Sequence, residues 1–336
     1  MSKACLRSTR FAMPGSIALR LLFVVTVVLI VIYMKWETAR DIFTISFSER
    51  HTSRGFRENE KRANSVQFKR MALLKDYCKS NAVSKEFPPR NRFVVNEKYK
   101  LLYCQVFKTG STTTLTILHN LEHDERRSTY DMRAKLDDLP FKRLSDYTDD
   151  EVRLRLETYA KLLIVRDPLE RLVSAWQDKF IFAPSEFWRK KYQSMVETIS
   201  QNALKKQVTP KDPDNRPYAP VPFNAFIKAV GTKRTEWQDP HWQLISDLCA
   251  PCLIDYDFIA HTDTIADDYP LFFEKAGIVG REDLLPKMRQ RKAEELSWEL
   301  YKHISMEDIW RIKQKFKADY EMFGFNFDKD ITSLLS

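Results

Sequence analysis

No acidic residue occurs in the first 35 positions, no Asn-x-Ser/Thr sequon occurs anywhere, and no Gly-x-x-x-x-Gly-Lys-Ser/Thr run is present. Each absence removes a possibility. The last excludes the usual ATP-hydrolysing phosphate loop. The second takes away N-linked glycans as a marker of membrane sidedness. The first makes the charge lopsided, because Lys3, Arg7, Arg10, Arg20 and Lys35 stand unopposed. Without those five, 50 basic and 46 acidic residues remain, so the formal +9 falls to +4. The bulk of the chain therefore carries no excess that would point to nucleic acid. Cysteine is sparse, with five in 336 residues, and Cys249-Ala-Pro-Cys252 lacks the second close pair a zinc site would need.

What is present begins with an apolar run. Leu21 to Met34 is interrupted only by Thr26, and Ile17-Ala18-Leu19 extends it past Arg20. About 18 residues approach the minimum for a spanning helix. Arg20 can snorkel to one interface, while Tyr33 and Trp36 suit the other. No small-x-small cleavage site follows, so the run reads as an uncleaved anchor at 17–34. The basic residues ahead of it keep a tail of residues 1–16 cytoplasmic, a type II topology. Residues 35–70 read as a lumenal stem and 71–336 as the catalytic domain. Cys78, Cys104, Cys249 and Cys252 then form an even lumenal set, compatible with two disulfides whose pairing stays open.

Two segments carry the chemistry. The apolar strand pattern at 99–107 runs into Lys108-Thr109-Gly110-Ser111-Thr112-Thr113 and then a helix to Leu121. Gly110 permits a tight turn, and the first N–H groups of the helix make an anion site. Lys108, standing before the glycine, suits neutralisation of charge on a leaving phosphate. The second segment is Leu162-Leu-Ile-Val165 followed by Arg166-Asp167-Pro168 and a helical pattern over Leu169–Phe180. Asp167 suits the N-cap, Pro168 the first helical position, and Arg166 the strand end where ligands bind in α/β sheets. Ser174 adds a hydroxyl two turns on, and Arg171 reads as a solvated helix charge in preference to a third phosphate contact. Two phosphate-type turns in this order fit a nucleotide phosphorylated on both sides of its ribose. Thr148 and Glu151 form a capping box, and Met306–Phe323 reads as one amphipathic helix stopped by Gly324. The fold class is α/β: a P-loop-like central parallel sheet flanked by helices.

The residues resemble a known family. Ile164-Val-Arg-Asp-Pro-Leu-Glu-Arg-Leu-Val-Ser-Ala-Trp-Gln-Asp-Lys-Phe180 is similar to the 3′-phosphate motif of the Golgi carbohydrate sulfotransferases, most closely the chondroitin/dermatan 4-O-sulfotransferase group. His241-Trp242, Cys249-Ala-Pro-Cys-Leu-Ile-Asp-Tyr-Asp257 and Tyr320-Glu-Met-Phe-Gly-Phe325 add to the likeness, which runs from about Met71 to Phe327. The first loop departs from that group's usual Pro-Lys-Val-Ala-Cys-Thr-Asn and is closer to the loop of other sulfotransferases. The resemblance implies the PAPS (3′-phosphoadenosine-5′-phosphosulfate) fold and donor, no metal, Golgi placement, and a glycosaminoglycan or other glycan acceptor. On this reading Lys108, Thr109, Gly110, Ser111, Thr112 and Thr113 hold the 5′ side, and Arg166 and Ser174 the 3′-phosphate.

A hydroxyl acceptor needs a base. His119 lies eleven residues past Lys108, about three helical turns away, so its place is awkward. His241 is the candidate the family likeness favours, with Asp239, Glu236 and Asp263 as alternatives. Trp237 and Trp242 are candidate sugar platforms or core residues. A P-loop kinase and a glycan-binding ectodomain without turnover are the rival classes.

Overall fold

The computed structural model describes residues 64–82, 86–129, 139, 141–181, 221–232, 238–285, 299–328 and 331–332. The tail, the anchor and the stem as far as residue 63 lie outside them, as do Glu236, Trp237 and the proline-rich segment up to residue 220. Among the described residues no helix is long and apolar enough to cross a membrane.

The first helix, α1, spans 64–80 and so begins ahead of Met71. Four strands follow along the chain in one sheet, ordered as in sequence: β1 (Phe93–Asn96), β2 (Leu101–Cys104), β3 (Ala160–Val165) and β4 (Phe258–His261). β2, β3 and β4 run parallel, and β1 pairs antiparallel with β2. The expected parallel sheet is present, with an antiparallel edge added.

Side chains alternate across the sheet as the period of two requires. Tyr103, Leu162, Ile164, Phe258 and Ala260 face α2 (Ser111–His123) on one side. Leu102, Cys104, Leu163, Val165 and Ile259 face the other, where α1 and α3 (Asp149–Thr158) pack. All these strand residues are buried, which explains why β2 and β3 read as unbroken apolar runs. Arg70 of α1 covers the outer edge of β4, donating to the Ile259 carbonyl at 3.1 Å.

Helix starts follow the sequence closely. Thr148 and Glu151 form the reciprocal capping box of α3. Asp167 accepts from the Leu169 and Glu170 N–H groups and Pro168 opens α4 (Pro168–Trp176). The helical pattern does not continue unchanged to Phe180; it widens into a π turn at Gln177–Ile181. α4 forms a separate apolar cluster with α5 (Phe223–Gly231), built around Phe226, Trp242 and Tyr301. The short α6 (Ile245–Cys249) and then α7 (Ile265–Lys275) follow, the latter packing beside α2.

The C-terminal pattern is two helices rather than one: α8 (Met306–Lys315) and α9 (Lys317–Phe323). The break falls at Phe316, which is buried in the core with φ −95° and ψ 12°. Re-aiming the chain there brings Asp319 to the start of α6, where it accepts from the Ile245 and Ser246 N–H groups at 2.8 and 3.1 Å. Gly324, at φ 72°, ends α9 as expected. The two disulfides are Cys78–Cys252 and Cys104–Cys249.

Candidate active site

Beyond β2 the backbone turns sharply. Lys108 and Gly110 both adopt left-handed conformations, at φ 69° and 85°. A left-handed lysine costs roughly 1–2 kcal/mol, a strain that proteins tolerate at working turns. Thr109, between them, is turned inward: its hydroxyl donates to the Val106 carbonyl at 2.9 Å and only its backbone is left for a ligand. Gly110 is the N-cap of α2 and supplies no side-chain cap. The first bond into that helix is the Thr114 N–H to the Gly110 carbonyl, at 3.1 Å. Ser111, Thr112 and Thr113 precede it on the half-exposed first turn, the place where backbone N–H groups receive an anion. A Cβ added at Gly110 would meet nothing within 4 Å, so the space before the helix is open.

The second loop reaches the first. Arg166 is buried at the end of β3 and donates through Nη1 to the Lys108 carbonyl at 3.0 Å. Its Nε donates to Glu170 at 3.2 Å, which fixes the plane of the guanidinium. Ser174 is half-buried on the same helix.

Arg171 is neither a phosphate ligand nor a solvated charge. It is fully buried and donates to three carbonyls: Phe107 at 3.0 Å, Pro240 at 3.0 Å and Gln243 at 2.6 Å. Burial pulls its pKa down to about 10, partly offset by Asp319, so it remains a cation. It clamps the strand end that carries Lys108 to the segment that carries His241. Its apolar neighbours Leu169, Leu172 and Val173 are buried in the cluster that α4 forms with α5.

His241 comes to the same place. Its ring stacks on Phe107 with centroids 4.3 Å apart and planes 14° from parallel. Asp239, also buried, accepts from the His241 backbone N–H at 2.9 Å and engages Nδ1 at 2.5 Å. With Nδ1–H held by a carboxylate, the basic lone pair is on Nε2. Burial lowers the imidazole pKa to about 4; Asp239 opposes this, and Lys179 and Lys108 reinforce it. The ring is thus neutral at neutral pH. Trp242 is a core residue against Phe226 and Phe180, not a sugar platform.

The π turn contributes two residues the sequence reading did not place in the site. The Asp178 carboxylate lies 3.0 Å from the Lys108 ammonium and 3.1 Å from that of Lys179. Burial lowers the Lys108 pKa, an effect that Asp178 only partly offsets. Burial alone would raise that of Asp178, but the two lysines outweigh it and hold the carboxyl below its usual range.

Other histidines lie elsewhere. His119 packs against Glu125 and Phe141 on α2. His261 ends β4 beside Phe325, and Asp263, 4.0 Å from its ring, is exposed. Among the described residues no cluster of His, Cys, Asp and Glu has the form of a metal site.

A neutral imidazole oriented by a carboxylate, next to a strained cationic turn and an uncapped helix, is equipped to move an anionic group onto a hydroxyl. The comparisons agree. The model of the sulfotransferase family matches residues 91–326, and the chain belongs to that family. Carbohydrate sulfotransferase 10 of Homo sapiens is 29% identical over 291 residues, covering 77% of this chain and 76% of its own. The Gallus gallus protein of the same name is 29% identical over 82% of this chain and 79% of its own. Carbohydrate sulfotransferase 9 of Homo sapiens is 29% identical over 79% of this chain and 61% of its own. No solved structure matches. PAPS is the sulfate donor of this family in general.

Proposed function

We propose that the protein is a carbohydrate O-sulfotransferase that uses PAPS to sulfate a glycan hydroxyl. The names of the relatives support the carbohydrate acceptor. The acceptor we assign is a chondroitin-type glycosaminoglycan, sulfated at the 4-hydroxyl of N-acetylgalactosamine. That choice rests on the likeness of the Ile164–Phe180 segment to the 4-O group. The sequence pattern of 17–34 supports a type II anchor, with the catalytic part in the Golgi lumen.

The observation that carries the reading is the Arg166 guanidinium on the Lys108 carbonyl, because it joins the two phosphate turns into one site. The residues fit the donor: an uncapped helix start with open space at Gly110, a half-buried ammonium on Lys108 and a buried one on Lys179, and an arginine at the strand end. The donor supplies a sulfuryl group whose sulfur exchanges its bond to the phosphate oxygen for one to the acceptor oxygen, the electron pair staying on the phosphate. Lys108 stabilises that developing charge. The first turn of α2 holds the 5′ side, while Arg166 and Ser174 hold the 3′-phosphate. His241 takes the hydroxyl proton on Nε2, and Asp239 fixes the ring and its tautomer.

The test is to incubate the protein with labelled PAPS and a panel of desulfated glycosaminoglycans, then map the product disaccharides. Label at the 4-position of N-acetylgalactosamine is the expected result. Label on another glycan would correct the acceptor, and no label with any glycan would remove the enzymatic reading. In the same assay Lys108→Ala is expected to lose at least a hundredfold in turnover while still binding PAP, the desulfated product. Undiminished turnover would take Lys108 out of the mechanism.

A further inference from the structure

Three arginines lie at the approach to β1, and two of them have partners. In the short 3-10 turn Arg90–Arg92, Arg90 pairs with Asp149 at 2.7 Å. Arg143 donates to the Asn91 carbonyl at 2.7 Å and to Oε1 of Gln105 at 3.0 Å. Arg92 differs. It is half-buried, and among the described residues its guanidinium makes no ion pair and no hydrogen bond. Its central carbon lies over the Phe107 ring instead, 5.2 Å from the centroid. The ring attracts the cation but accepts none of its five N–H groups in an ordinary hydrogen bond. Burial pulls the Arg92 pKa down, Asp239 opposes this through space, and Arg143 reinforces it. Phe107 is also the ring on which His241 stacks, at 4.3 Å. The guanidinium therefore stands no farther from the imidazole than those two distances laid end to end. Its mount is rigid. The Arg92 N–H donates to the Pro89 carbonyl at 2.9 Å, and the Arg92 carbonyl accepts from the Gln105 N–H at 2.8 Å. Arg171 holds the Phe107 carbonyl at 3.0 Å. A partly desolvated fork with its donors unused, one sugar's reach from the base, suits a planar anion.

We propose that Arg92 reads the acceptor: its guanidinium receives the carboxylate of the hexuronate next to the sugar whose hydroxyl His241 deprotonates. The contact takes no part in bond making. It sets which hydroxyl reaches Nε2, because a chain pinned at one carboxylate presents only the sugar beside it. It also favours uronate-bearing chains over neutral glycans, which leave the guanidinium without a counter-charge.

This inference rests on the glycosaminoglycan acceptor proposed above, and the experiment separates the two. Measure sulfate transfer by the full-length wild type, Arg92→Gln and Arg92→Lys to desulfated chondroitin and to the same polymer with its carboxyl groups reduced to alcohols, and measure PAP binding alongside. Wild type is expected to lose about ten- to a hundredfold in kcat/KM on carboxyl reduction, chiefly through KM. Arg92→Gln is expected to lose a similar factor on native chondroitin and nothing further on the reduced polymer. Arg92→Lys keeps the charge without the fork and is expected to fall between the two. PAP binding unchanged within about twofold shows that the variants are folded and the donor side intact. A wild type indifferent to carboxyl reduction would overturn the role of Arg92 whatever the variants do. So would an Arg92→Gln protein that loses equally on both polymers or binds PAP poorly, the mark of an arginine that only props Phe107. Transfer by the wild type to neutral glycans alone would overturn the acceptor proposed above, and the role of Arg92 with it.

Discussion

At the scale of single residues the site is decided by where charge is held. His241 is tuned by burial to a pKa of about 4, below its ordinary 6.5. The neutral ring is the base, it persists as pH falls through 6.5, and it is lost only near 4. Hence kcat/KM for sulfate transfer is expected to stay flat between about pH 7.5 and 5.5. A half-loss at the ordinary histidine value would place the base on another group. Arg171 makes a different prediction, because its three carbonyl partners lie 64 to 72 residues away and belong to the two segments that must meet. Arg171→Met leaves those carbonyls unpaired and is expected to destabilise the fold by about 3–5 kcal/mol. Arg171→Lys keeps the charge but cannot span three carbonyls. It should lower kcat more than it changes PAP affinity, and its pH profile should shift as His241 loosens.

At the scale of elements, turns and caps were legible because their chemistry is local. Thr148 with Glu151, Asp167 with Pro168, and Gly324 each announce a helix end within four residues, and all three stand where the sequence placed them. The phosphate turn was legible for the same reason, since strand, lysine, glycine and hydroxyls are contiguous. Its strain is local too. Gly110→Ala would meet no atom, so its expected cost of about 1–2 kcal/mol comes from the left-handed backbone alone. A melting temperature unchanged by that substitution would mean the turn relaxes freely. What could not be read was non-local. The π turn looks like a continuing helix, because Leu172, Trp176 and Phe180 keep helical spacing and only packing against Trp242 reveals the widened turn. The break at Phe316 likewise depends on Asp319 finding two N–H groups on α6, 73 and 74 residues away. The buried arginine was hidden because burial of a charge depends on partners the sequence does not name.

At the scale of the whole molecule two disulfides fasten the strand and helix layers, and they differ in exposure. Cys104 and Cys249 are fully buried and join the end of β2, which leads into the phosphate turn, to the end of α6. Cys78 and Cys252 are half-buried and join the end of α1 to the loop after α6. Each closes a loop of more than 100 residues, 174 for the outer bond and 145 for the inner. In the chain-entropy model each therefore stabilises by about 5 kcal/mol, with little difference between them. Access, not loop length, then sets their order of reduction, because exchange requires a thiolate to reach a sulfur. A mild thiol is expected to open Cys78–Cys252 first, freeing the C-terminal end of α1 while Arg70, on the same helix, still bridges Asp268 at 2.9 Å. The Lys108 turn should survive that step, so PAP binding and turnover should persist in the singly reduced protein. Opening Cys104–Cys249 requires the core to part and should abolish both together. Alkylation at timed intervals, peptide mass analysis and a parallel activity assay follow the two events. Loss of activity in step with alkylation of Cys78 would show that α1 supports the site and is not merely a cover for the edge of β4.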